Sequence, residues 1–192
     1  MKTWMIASDL HGSAFWCRKL MERMELEQPD RMVLLGDLLY HGPRNNLPDE
    51  YDTKAVAKML NAVKEKLLCV RGNCDCEVDQ MVLDFPVLAD YAVMPVGEKL
   101  CYMTHGHNYG PDNPPALSEG DLLLCGHTHV PTVQSRQGYV YLNPGSVSLP
   151  KENSPHSYMT LQDGVFTWKD AETGEVYHTW DSREEQTWIW NS

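Results

Sequence analysis

An α/β fold of two facing mixed β-sheets, a sandwich flanked by α-helices, is what the amino-acid sequence predicts, and three observations carry the expectation. The first half alternates short apolar runs with segments of 3.6-residue periodicity, the mark of layered α/β structure. The second half is richer in strand-like runs joined by turn dipeptides such as Gln137-Gly138 and Asp163-Gly164. Successive apolar runs also stop at polar motifs, as expected where strands end at a site.

In order along the chain, Trp4 to Ala7 reads as a buried strand that ends at Ser8-Asp9. A helix starts near Ser13, with Cys17, Leu20, Met21 and Met24 at spacings of three and four. Met32 to Leu35 forms the second strand, stopping at Gly36-Asp37. The stretch Tyr40 to Glu50 holds two prolines, a glycine and adjacent asparagines, and reads as irregular surface. Asp52-Thr53 caps a second helix whose apolar positions are Val56, Met59, Leu60, Val63 and Leu67. Leu68 to Val70 is the third strand, closing at Gly72-Asn73. Further strands are expected at Tyr91 to Met94, Leu100 to Thr104, Leu122 to Cys125, Thr132 to Arg136, Tyr139 to Leu142, Ser157 to Leu161 and Val165 to Lys169. No repeat, low-complexity tract or linker divides the chain, so one domain over residues 1–180 is expected, with a tail or cap over residues 181–192.

Composition narrows the partners. At 192 residues and 42% hydrophobic content the chain can bury a sizeable core. Its 16 Lys+Arg against 27 Asp+Glu, a net charge of -11, leave no basic footprint for extended nucleic acid or an anionic membrane. A small phosphate compound remains compatible if bound cations reverse the local field. No apolar run approaches the roughly 18 to 20 residues of a membrane span, and Met1 to Ser8 lacks signal-peptide features, so a cytoplasmic protein is expected. Cys69, Cys101 and Cys125 lie in apolar runs and are expected to be reduced thiols. Cys74 and Cys76, one residue apart without a second pair, make a weak zinc motif.

The chemistry lies at the strand ends. Asp9-Leu10-His11, Gly36-Asp37 and Gly72-Asn73 follow the first three strands; His105 and Gly126-His127-Thr128-His129 follow two later ones. Singly, Asp9, Asp37 or Asn73 reads equally as a cap or turn residue. Three histidines just past strand ends, with glycines beside them that allow close backbone approach, favour a shared site. Carboxylate, amide and imidazole donors together suit a borderline divalent metal: Mn²⁺ is the first choice, with Zn²⁺, Fe²⁺, Co²⁺ and Ni²⁺ as the others.

The ordered set Asp9-Leu10-His11, Gly36-Asp37, Gly72-Asn73, His105 and Gly126-His127-Thr128-His129 resembles the calcineurin-like metallophosphoesterase superfamily. Within it, His41-Gly42-Pro43-Arg44-Asn45, Arg71-Gly72-Asn73-Cys74-Asp75, Thr104-His105-Gly106-His107 and Asn143-Pro144-Gly145-Ser146 resemble the small YfcE-type phosphodiesterases. The resemblance implies two metal ions, one held by Asp9, His11 and His129, the other by Asn73, His105 and His127, with Asp37 between them. It implies hydrolysis of small phosphodiesters by a bridging hydroxide, two cations ~3.5 to 4 Å apart clamping the phosphoryl group.

One position departs from the superfamily pattern: Cys74 stands where a proton-donating histidine is usual. Cations nearby would lower its pKa from about 8.5 and make it a poor acid, so good leaving groups should be favoured; a simple lining role is the alternative. Arg44 is a candidate phosphate contact or a solvated loop residue. His107 and His41 read as site supports or surface residues, whereas His156 and His178 lie outside any motif. Asn143-Pro144-Gly145-Ser146 reads as a tight turn near the metals. The alternatives to a diesterase are a phosphomonoesterase and a non-catalytic scaffold like the small retromer subunit. A homo-oligomer, through Trp188, Trp190 or exposed loops, stays open.

Overall fold

A computed structural model of the chain describes residues 2–184 and 187–190. The first part runs β1 (Thr3–Ala7), α1 (Ala14–Glu27), β2 (Arg31–Leu34), α2 (Thr53–Ala62), β3 (Leu67–Cys69) and α3 (Glu77–Gln80). The strands that follow are β4 (Ala92–Val96), β5 (Lys99–Met103), β6 (Asp121–Leu124), β7 (Thr132–Arg136), β8 (Tyr139–Asn143), β9 (Ser157–Gln162), β10 (Val165–Asp170), β11 (Val176–Asp181) and β12 (Trp188–Ile189). They form two six-stranded mixed sheets, ordered β11-β10-β9-β1-β2-β3 and β12-β7-β8-β6-β5-β4.

Each sheet is parallel at the strands that feed the site: β1, β2 and β3 in the first, β5, β6 and β8 in the second. A period of two sorts the apolar residues of β1 and β2 into layers. Met5, Ala7, Met32 and Leu34 pack under Cys17, Leu20, Val56 and Leu60 of the helices. Ile6 and Val33 face the other sheet, against Met103, Leu122, Leu124 and Leu142. Strands buried on both faces read as continuous apolar runs, which is why these were legible as strands but not as layers. The Trp168 indole, fully buried, crosses between sheets and donates to the Asn143 carbonyl at 2.8 Å.

Both long helices start where the sequence says they should. Ser13 Oγ accepts from Trp16 N at 3.2 Å, and Asp52 Oδ1 accepts from Lys54 N and Ala55 N at 3.1 and 3.0 Å. The ends differ. The second helix stops at Ala62, a 3₁₀ turn spans Lys64–Lys66, and Leu67 opens β3 opposite Met32. Leu67 is buried either way, so helical spacing and strand burial were indistinguishable from periodicity. The helices cover one sheet only; the outer face of the other carries Leu123, Cys125 and Tyr141 under Leu117, Tyr102 and Tyr139.

The chain's last stretch is more structured than a tail. β11, an edge strand in which only Trp180 is buried, runs to Asp181; its polar composition hid it. Trp188 in β12 pairs with Val133 and stacks on His178 of β11, ring centroids 3.9 Å apart, so this segment ties one sheet to the other. Residues 185, 186, 191 and 192 of the expected tail lie outside the described residues. Among the described residues no helix is long and apolar enough to cross a membrane.

Candidate metal centre

Asp9 and His11 follow β1, Asp37 follows β2 and Asn73 follows β3; His105 follows β5, and His127 and His129 follow β6. Parallel strands all deliver their carboxyl ends to one edge, so both sheets present these residues at the same end of the sandwich. Asp9, His11, Asp37, His127 and His129 all have positive φ, between 47° and 67°. A non-glycine residue there costs roughly 1–2 kcal/mol and persists only when its surroundings enforce it.

The enforcing contacts are visible. His11 N donates to Asp37 O at 2.9 Å and Asp9 N to Gly36 O at 3.1 Å, joining the first two loops. Asp75, buried, accepts from Asp37 N (2.8 Å), Leu38 N (2.9 Å) and Gly72 N (2.7 Å), joining the second loop to the third. Ser146 and Ser148 hydroxyls both donate to Asp9 O at 2.9 Å, while Asn143 Nδ2 donates to Gly126 O at 2.6 Å. A side chain at Gly72 would collide with the Asp37 carboxylate, and one at Gly126 with Ser8 and Asp9. Sequence reasoning gave the turn from Asn143 to Ser146 only a general role near the metals, took Asp75 only as part of a resembling motif, and passed over Ser148. Their signal was polarity inside otherwise apolar or turn-forming stretches.

The ring nitrogens settle the direction of the histidines. His11, His105 and His129 each place Nδ1 on a backbone carbonyl, Tyr40 O at 2.9 Å, Leu35 O at 2.7 Å and Leu149 O at 2.6 Å. A carbonyl only accepts, so Nδ1 carries the proton and Nε2 turns inward, the support typical of metal-ligating imidazoles. His11 Nε2 and His129 Nε2 lie 3.3 Å apart, with Asp9 Oδ1 at 3.6 and 3.3 Å from them. Asp37 Oδ2 lies 3.7 Å from His11 Nε2 and 3.4 Å from His105 Nε2. His105 Nε2 is also 3.1 Å from Asn73 Oδ1 and 3.2 Å from His127 Nδ1. The seven residues thus converge, with Asp37 central to both groups.

The electrostatics of this cluster are those of acceptors without enough donors. Burial opposes a charged His105, but hydrogen bonding to Asp37 and the field of Asp9 outweigh it and lift its pKa to about 9. His11 is raised similarly, burial being outweighed by Asp9. Asp9 is held well below the usual carboxylate range, its burial outweighed by the charge of His129, and Asp37 is lowered, its burial outweighed by His105. Burial and repulsion from His105 push His127 down to about 4. Asp9 Oδ1 is fully buried with no hydrogen-bond donor among the described residues. Inward-facing lone pairs and orphaned carboxylate oxygen fit divalent cations, and Asp9, His11 and His129 form one compact group able to hold one.

Around the cluster lies a cavity of about 450 Å³ that Arg44, Asn45, Cys74, Thr128 and Lys151 also line. Cys74 N donates to Asp37 Oδ1 at 2.8 Å, and its Sγ lies close enough to His11 and Asp37 to join their group. Burial and then the Asp37 carboxylate push the Cys74 thiol up. His107 sits exposed, its ring 5.4 Å from that of His105. His41 packs edge-on against Tyr40 and Tyr51, outside the cavity lining. His156 stacks on Trp16 and His178 on Trp188, both as packing residues.

Two facing mixed sheets with helices on one side and a carboxylate–imidazole cluster at the strand ends define a metallophosphoesterase. The model of the calcineurin-like phosphoesterase superfamily domain matches residues 1–163. The phosphodiesterase YfcE of Escherichia coli (strain K12) is 45% identical over 163 residues, covering 85% of this chain and 89% of that protein. The solved structure of YfcE, a phosphoesterase from E. coli, superposes with a TM-score of 0.89 at 40% identity, covering 93% of this chain and 98% of the other. Vacuolar protein sorting 29 of Cryptosporidium parvum shares the fold alone, with a TM-score of 0.59 at 19% identity over all of this chain and 98% of its own. The chain belongs to the calcineurin-like phosphoesterase superfamily.

Proposed function

We propose that the protein is a phosphoric diester hydrolase acting on small phosphodiesters with two divalent cations, Mn²⁺ foremost. Asp9, His11 and His129 would hold one, Asn73, His105 and His127 the other, and Asp37 both. The observation that carries the reading is the inward turn of three Nε2 lone pairs, each fixed by an Nδ1–carbonyl hydrogen bond, onto two buried carboxylates. When bound, such a pair of cations supplies a charge clamp for the phosphoryl group and an acidified water for in-line attack.

The chain's own residues do the rest. Arg44, in the cavity lining, donates to a non-bridging phosphate oxygen and orients the diester. Asp75 and the two serines hold the ligand loops rigid, so little reorganisation is left for the reaction. Cys74 takes the place of a strong proton donor, which favours substrates whose departing oxygen needs no proton. The products are an alcohol or phenol and a phosphomonoester.

A panel of aryl diesters, alkyl diesters and matched monoesters, assayed with each divalent metal in turn, tests the reading. Mn²⁺-stimulated cleavage of bis(p-nitrophenyl) phosphate, faster than of alkyl diesters, is expected. A monoester rate above that of its matched diester would make it a phosphomonoesterase. No Mn²⁺ binding and no diester cleavage would make it a scaffold.

A further inference from the structure

We infer that Lys151 is a specificity residue that binds a second phosphate on one ester arm, so that the preferred substrates are small phosphodiesters carrying an additional terminal phosphate. The inference rests on the diesterase reading and extends it to the substrate class. Arg44 and Lys151 line one cavity but reach it from different places. Arg44 belongs to the loop that lies against Cys74, since a Cβ at Gly42 would meet Cys74 Sγ at 3.2 Å. Lys151 belongs to the loop that receives His129 Nδ1 at Leu149 O, at the far member of the Asp9, His11 and His129 group. Far apart in sequence, the two cations form no cluster that a linear reading detects.

Lys151 is displayed rather than merely exposed. Its N–H donates to His129 O at 3.2 Å, and its carbonyl accepts from Ser154 N at 3.0 Å and Ser154 Oγ at 2.7 Å. The next residue is pinned from outside, Glu152 O accepting from the Trp190 indole at 3.0 Å. Glu152 and Asn153 both take positive φ of 54°, a conformation these contacts enforce. The backbone on both sides of Lys151 is therefore fixed against the metal-site loop, while its ammonium has no hydrogen-bond or ion-pair partner among the described residues. Six other lysines and arginines pair with Glu22, Glu27, Glu50, Glu77, Asp84 and Asp181, whereas the Lys151 ammonium is held at the rim of the site with its charge uncompensated among the described residues.

A diester phosphate has one negative charge on two non-bridging oxygens, which cations held by the cluster and the Arg44 fork would satisfy. Lys151 is then left for another anion, and a compact ammonium suits a phosphate as a point charge. A cavity of about 450 Å³ is within the range of small-ligand pockets and has room for an ester arm as well as the reacting group.

Calorimetry on the Mn²⁺-loaded protein with thymidine 5′-phosphate and thymidine 3′,5′-bisphosphate tests this without turnover. The wild type should bind the bisphosphate about tenfold more tightly, the scale of one charge-assisted contact at a partly exposed site. K151Q should abolish the preference and leave thymidine 5′-phosphate binding within about twofold, K151R should keep it, and K58Q, away from the cavity, should not change it. In kinetics, the kcat/KM preference for thymidine 3′-phosphate 5′-(p-nitrophenyl phosphate) over the ester without the 3′-phosphate should vanish in K151Q, with bis(p-nitrophenyl) phosphate cleavage unchanged. No preference in the wild type, or equal loss for both ligands in K151Q, overturns the assignment. Failure to cleave bis(p-nitrophenyl) phosphate would instead remove the diesterase reading, and the binding comparison would still decide on Lys151.

Discussion

The helix-covered sheet and the open sheet bring different chemistry to the same edge. The first presents oxygen, from Asp9, Asp37 and Asn73, with a single imidazole, His11; the second presents imidazoles alone, His105, His127 and His129. Neither sheet alone assembles the cluster. Asp9 and His11 meet His129 from across the sandwich, and Asn73 meets His105. The difference teaches that this centre is a property of the joint between sheets, so inter-sheet packing and the loop clamps matter to it as much as the ligands.

The most direct way to break the joint is Asp37→Asn, which removes the carboxylate common to both groups. Metal-stimulated diesterase activity should fall by at least ~10³-fold, several kcal/mol of transition-state stabilisation, with the circular dichroism of the fold retained. Activity within tenfold of wild type would contradict the central role. His127→Ala, on the imidazole sheet, should instead lower the bound metal from two ions to one per chain, read by elemental analysis of the purified protein.

Asp75→Asn probes the clamp between the loops of β2 and β3. An amide can keep only part of the three-fold acceptance from Asp37, Leu38 and Gly72, so metal affinity should drop 10–100-fold, with cation Kd as the measure. Unchanged Kd would mean that the strand ends need no clamp.

The metal-free protein should show the mismatch of donors and acceptors as a pH optimum of stability. His105, raised to about 9, stabilises the fold fully below the unfolded value near 6.5 and loses that contribution as pH climbs through 9. His127, depressed to about 4, opposes folding below 6.5, because the unfolded chain then binds the proton more readily. In chelator, Tm should peak near pH 6.5; with Mn²⁺ the decline from 6.5 to 9 should flatten. A chelated protein whose Tm rises steadily to pH 9 would refute the charge assignment. The smallest effect belongs to the exposed ion pair of Lys64 and Asp84, 3.2 Å apart: Asp84→Asn should cost under about 1 kcal/mol in denaturant titration and leave kcat/KM unchanged.

Much of this centre was legible because its determinants are local. Each converging residue lies in the loop that follows an apolar run, and such runs end strands whatever their partners are. The helix starts at Ser13 and Asp52 were legible for the same reason, being side chains that cap nearby backbone. Leu67 was misassigned because burial, common to helix and strand, was its only signal, and β11 was missed because an edge strand buries too little to leave a pattern.

By itself, the sequence determined the layered α/β class, the strand ends and the identity of the converging donors, since these follow from short-range periodicity and residue chemistry. Only the tertiary structure decided that the helices cover one sheet and that the ligand loops adopt positive φ. It also set the clamps of Asp75, Ser146 and Ser148, and brought Lys151 to the same cavity as Arg44. Those outcomes depend on contacts between residues remote in the chain, which are made only when the two sheets close over a shared core.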